Sequence, residues 1–100
     1  MDCNQTIICG KIIKLGILRY TPAGIAVIEF TVSHVSRQIE AGAARQIMCE
    51  IIAIALGHLA LTVAELTVDS KVKLMGFLNS KSRMDQRLVL HANQVILFKQ

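Results

Sequence analysis

"RYTPAGIAVIEFTVSH", Arg19 to His34, is the stretch that decides the fold. It begins as a turn, because Pro22 fixes φ for the second position of a tight turn and Gly24 supplies a positive φ. From Ile25 to Val35 apolar and polar residues then alternate. Ile28, Phe30, Val32 and His34 share one side, and Glu29, Thr31 and Ser33 the other. A period of two marks a strand with one buried face.

Working outward, "TIICGKIIKLGIL" (Thr6–Leu18) carries isoleucine on both pleat faces, as a strand curving through a closed sheet does. "RQIMCEIIAIA" (Arg45–Ala55) sets Ile47, Cys49, Ile51 and Ala53 on one face and Gln46, Met48 and Glu50 on the other. "KVKLMGFL" (Lys71–Leu78) and "LVLHANQVILF" (Leu88–Phe98) read as two more strands. Between the strands, Arg19–Ile25 reads as a turn, Ser36–Ala44 as a loop holding Arg37 and Gly42, and Val68–Ser70 as a turn. Gly57–Leu66 suits a short helix or an irregular crossover, although Thr62 and Val63 are weak helix formers. The expected fold is therefore mostly β, a five-stranded Greek-key barrel of the OB type. A six-stranded sandwich stays open, since 57–66 can also be read as a strand.

One hundred residues fit one domain, expected to span 1–100. With 53% hydrophobic and 18% charged residues the chain is not disordered, and it holds more apolar material than a small monomer hides. Pairing into a homodimer is the expected remedy. Eleven basic residues against seven acidic ones, net +4, favour an acidic partner such as nucleic acid.

Chemistry of other kinds finds little support. Cys3, Cys9 and Cys49 are odd in number without C-x-x-C spacing, and His34, His58 and His91 lack ligand spacing, so no metal or cofactor is expected. Cys49, on the apolar face of its strand, is expected to be a buried, inert thiol. Glu50 and Asp85 form no acid–base pair, and no enzyme is expected. The longest apolar stretch, Ile51–Ala64, is interrupted by Gly57 and His58 and is too short for a membrane span. Nothing at the N-terminus reads as a signal peptide. A reducing cytoplasm is the expected home.

"NSKSRMDQR" (Asn79–Arg87) sets Lys81, Arg83 and Arg87 against Asp85 between two strands. On its own it is either a solvated turn or a phosphate contact. Arg19, Arg37 and Arg45 are further cations. Tyr20, the single tyrosine, either packs over Pro22 or stacks on a base.

Together, "RYTPAGIAVIEFTVSH", "GH" (Gly57–His58), "VDSKVKLMGFL" (Val68–Leu78) and "LVLHANQVIL" (Leu88–Leu97) resemble the single-stranded-DNA-binding protein superfamily. Within it they resemble the primosomal replication protein N (PriB) family. The T-P-[AS]-G-I turn is shared by both, whereas the run from Val68 through the basic loop to "VLHANQV" is more particular to the second. The resemblance implies an OB-fold homodimer that binds single-stranded DNA. It also implies a place in the primosome, with the helicase PriA and proteins such as DnaT as partners in replication restart. It assigns DNA contact to Lys81, Arg83 and Arg87, with arginine for lysine at two of these positions, and a basic role to Arg19. The position of Met48 can be a base-stacking tryptophan in that family, so methionine here shifts the expected affinity from stacking toward charge. Two alternatives stand beside the adaptor: a general single-strand binder, whose usual acidic tail is not expected after "VILFKQ", and an OB module that binds only proteins.

Overall fold

A computed structural model describes residues 1–98; Lys99 and Gln100, to which the 1–100 domain assignment extends, lie outside the described residues. In chain order the elements are β1 (Thr6–Leu15), β2 (Arg19–Tyr20), β3 (Ala26–Glu40), β4 (Ala43–Leu56), α1 (His58–Ala64), β5 (Lys71–Ser80) and β6 (Leu88–Leu97). Neighbouring strands run β1-β5-β6-β4-β3-β2, and β1 pairs with β3 as well, which closes five of them into a barrel. All pairings are antiparallel except β4 with β6, where Ala53 lies beside Leu90 and Ile54 beside His91. This is the mostly-β OB barrel expected. The sandwich is set aside because residues 58–64 are helical, with Ala60 and Val63 buried in the core.

The alternation of β3 builds that core. Ile28, Phe30 and Val32 point inward and meet Ile12, Ala53, Ala55, Val72, Leu74 and Leu90, all buried. Burying a side chain the size of Phe30 stabilises by roughly 1.5–3 kcal/mol. Their neighbours Glu29, Thr31 and Ser33 point outward and stay partly exposed.

Three sequence expectations are corrected. The first strand stops at Leu15 rather than Leu18, and Arg19 and Tyr20 belong to strand, pairing with Val27 and Ala26. The turn proper is residues 21–25. There the Gly24 N–H donates to the Thr21 carbonyl at 2.8 Å, and Gly24 adopts φ 82°.

The second correction is larger. Ser36–Ala44 is not a loop, because β3 and β4 pair without a break from Val27–Leu56 to Glu40–Ala43. Only Ala41 and Gly42 turn, with φ 51° and 78°, the two-residue primed turn that matches strand twist. Arg37 therefore sits on a strand opposite Gln46. β1 leaves β3 at Lys11–Ser33, so beyond that point the hairpin is an arm with water on both faces. With neither face buried, nothing forces the alternation by which strands are read. A fifteen-residue strand spans about 50 Å at 3.3 Å per residue, in keeping with the molecule's 50 Å longest dimension.

The third correction follows from the arm. Cys49 lies on it opposite His34 and is exposed, not buried. His34 is itself committed: Nδ1 donates to the Cys9 carbonyl at 2.6 Å, and Nε2 lies 2.8 Å from Ser36 Oγ. A carbonyl only accepts, so Nδ1 carries the proton. That bond extends the β1–β3 contact one residue past the ladder's end.

Candidate nucleic-acid interface

Outside the barrel, register alone lines up a row across four strands. Glu29 on β3 lies opposite Ile54 on β4, Ile54 beside His91 on β6, and His91 opposite Phe77 on β5. Cross-strand partners share a face. The next residues along, Phe30, Ala53 and Leu90, are buried, so the row faces outward.

The 81–87 segment joins β5 to β6 and leans over this row, since Lys81 Nζ lies 4.0 Å from Glu29 Oε1. Its shape comes from its own backbone. The Lys81 N–H donates to the Arg87 carbonyl at 2.9 Å, the Ser82 N–H to the Asp85 carbonyl at 3.0 Å, and the Asp85 N–H to Ser82 Oγ at 3.0 Å. A groove of about 440 Å³ lies against the loop, bordered by Asn79, Lys81, Arg83, Gln86 and His91.

The three cations of the loop differ. Arg87 grips Asp85 through Nη2–Oδ2 at 2.7 Å and Nε to both carboxylate oxygens at 3.0 and 3.1 Å. The guanidinium hydrogen bonds, with the Arg87 backbone N–H behind them, lower the Asp85 carboxyl to about 2. The same side-chain hydrogen bonding raises Arg87 above its ordinary range. Lys81 is half-buried beside Glu29. Arg83 is exposed and makes no salt bridge among the described residues. Exposed pairs of this kind are worth about 0–1 kcal/mol, so a phosphate can displace either acid.

The remaining candidates divide between two faces. Arg19, opposite Val27, lies on the outer face that carries Glu29. Farther along the same face come Met48 opposite Val35 and Arg37 opposite Gln46. Met48 is 70% exposed on the arm, about 20 Å from Glu29 at the rise of a strand. Arg45 and Tyr20 lie on the other side. Arg45, opposite Gln38, is held 3.3 Å from Glu40, and Tyr20, opposite Ala26, leaves 61% of its surface exposed at the strand's end. The fold thus lines up Lys81, Arg19, Met48 and Arg37 along one outer track, with Arg83 and Arg87 on the loop beside it, and separates Arg45 and Tyr20 from them. Glu29 and Glu50 interrupt the positive charge of that track.

Phe77 and His91 escaped the sequence reading. Their rings stack with centroids 5.2 Å apart and planes 9° apart. The signal was there, since a hairpin closed symmetrically around the loop pairs 80 with 88 and hence 77 with 91. Read for metal-ligand spacing alone, His91 gives no signal. Among the described residues no three His, Cys, Asp or Glu side chains gather to hold a metal.

A closed five-stranded barrel with a cationic loop over its outer face is an OB-fold, the class from which single-strand binders are built. Comparison with known proteins narrows this. The profile of a family described as another single-strand binding protein family matches residues 4–94. The replication restart protein PriB of Nitrosomonas europaea is 44% identical over 88% of this chain and 82% of its own length. That of Proteus mirabilis is 38% identical over 97% and 95%. The solved PriB of Ralstonia solanacearum superimposes with a TM-score of 0.87 at 25% identity, covering 97% of this chain and all of that one. The wild-type single-stranded DNA binding protein of Thermus aquaticus shares the fold, with a TM-score of 0.77 at 19% identity over 97% of this chain and 50% of its own. The chain belongs to the PriB replication-restart family of single-strand binding proteins.

Proposed function

We propose that the protein binds single-stranded DNA and acts as an adaptor when replication is restarted. The observation that carries this is the 81–87 loop, whose cations lie over the outer face of an OB barrel in a chain of this family. Lys81, Arg83 and Arg87 supply phosphate contacts, which release counterions and need no particular sequence. Arg19 and Arg37 extend the contact along the outer face, and Met48 offers an apolar surface to a base. Arg45 and Tyr20, on the opposite face, take part only if the strand wraps around the hairpin. With four residues in a hundred aromatic, affinity leans on charge more than on stacking. The action is binding, not catalysis, and its setting is the cytoplasm.

The finer assignments rest on the family likeness. They are a homodimer as the working unit, and the helicase PriA and proteins such as DnaT as partners that meet the same barrel. Apolar side chains exposed on β1 and the arm, Ile7, Val35 and Ile39, support a partner surface of that kind.

Titrating the purified protein into a labelled oligo-dT at low salt tests the function. A rise in anisotropy is expected. No binding, together with capture of replication proteins, would replace it with a protein-interaction module.

A further inference from the structure

We infer that Phe77 and His91 form a nucleobase-stacking platform beneath the basic loop, a contact separate from the phosphate-binding side chains. It builds on the single-strand reading above and adds where a base is held. The two residues face each other across β5 and β6 and their rings are stacked nearly parallel. Phe77 keeps 37% of its surface exposed, which leaves ring area open beside its contact with His91. Beside the pair lies an apolar slot of about 200 Å³, bordered by Ile54, Leu56, Leu59, Phe77, His91 and Asn93. His91 borders both this slot and the groove against the loop, so the two share a wall.

Charge identifies the occupant. The slot is bordered mainly by Ile54, Leu56, Leu59 and the ring of Phe77, whereas the groove across His91 is bordered by Lys81 and Arg83. A flat aromatic ring with an anion attached on one side matches both halves, and a nucleotide of a single strand is such a group. An isolated apolar peptide would leave the cations unused. Asn93, bordering the slot, and Asn79, bordering the groove, offer amide groups to a base edge or a phosphate. Stacking needs only a π face, so the platform accepts any base.

The backbone holds the platform in place. The β5–β6 register slips between Met75 and Gly76, and a Cβ on Gly76 would run into the His91 carbonyl. Glycine at that bulge lets the two strands approach closely just before Phe77.

The test compares the native protein with Phe77→Leu and His91→Leu, which keep apolar bulk but remove each ring, and with Lys81→Ala. Oligo-dT affinity is measured by anisotropy across a salt series, and melting confirms that each variant is folded. The ring variants should bind about tenfold more weakly with an unchanged salt slope, because stacking releases no counterions. Lys81→Ala should flatten the slope instead. A bromodeoxyuridine-substituted strand should crosslink to the peptides holding Phe77 or His91. Native protein that binds DNA, with ring variants equal to it and crosslinks confined to Tyr20 or Met48, would overturn the platform while leaving the function intact. Native protein that binds no single strand would overturn both.

Discussion

Arg87 and Asp85, two residues apart, hold each other by three side-chain hydrogen bonds, the shortest 2.7 Å. A cation so held is positioned but partly spent. A phosphate must share the guanidinium or displace the carboxylate to use it. Replacing Asp85 by Asn keeps the acceptor for the Arg87 backbone N–H while removing the charge. Asp85→Asn should therefore raise single-strand affinity at low salt and steepen the log–log salt slope by about 0.7, one further phosphate contact. An unchanged slope in a salt-series titration would mean that Arg87 reaches no phosphate even when released.

The same pair predicts behaviour in acid. Asp85 titrates near 2 in the folded protein against 3.8 in the unfolded chain, so the unfolded state takes up the proton first. Its contribution to stability is present above pH 3.8 and is lost as pH falls from there through about 2. Carboxyl-carbon NMR titration of the native protein should place the Asp85 midpoint well below that of an ordinary aspartate. A midpoint near 3.8 would show that the grip is not kept in solution.

At the arm's tip, Ala41 occupies a left-handed conformation, φ 51°, that costs an L-residue with a Cβ about 1–2 kcal/mol. Asn tolerates that conformation, and Asn-Gly is a preferred pair for this turn. Ala41→Asn should relieve part of that cost, about 0.5–1 kcal/mol, raising stability in thermal melts without changing DNA binding. A loss of stability would indicate a different turn.

Exposed Ile7, Val35 and Ile39 put unpartnered apolar surface on β1 and the arm. Light scattering at micromolar concentration should give twice the 11.0 kDa chain mass. Val35→Lys, placed mid-arm, should shift the balance toward monomer. A native mass of one chain would remove the dimer.

How far the sequence revealed this molecule varies along the chain. Between Ala26 and Ser33 the strand has one face in the core, so Ile28, Phe30 and Val32 announce it by alternation. Past Val35 the same strand continues with water on both sides, and Arg37, Gln38 and Glu40 read as loop although they are paired. Arg19 and Tyr20 form too short a strand for any period to show. The loop cations were legible because a cluster of charge between two apolar runs is local. That Arg45 faces away from Met48 follows from alternation along one strand; that Arg87 is bound by Asp85 and that His91 meets Phe77 are matters of rotamer and register. The last of these was within reach, given a paired reading of β5 and β6.

The central claim is that the 81–87 loop is a phosphate clamp. It is tested most directly by the salt dependence of oligo-dT binding, comparing native protein with the variant carrying Lys81→Ala, Arg83→Ala and Arg87→Ala. Each phosphate contact contributes about 0.7 to the slope on single strands. The variant's slope should fall by about 1.4 to 2, two full contacts from Lys81 and Arg83 plus whatever share Arg87 gives beside Asp85. Equal slopes in the two proteins would contradict the clamp and move the DNA to another part of the barrel.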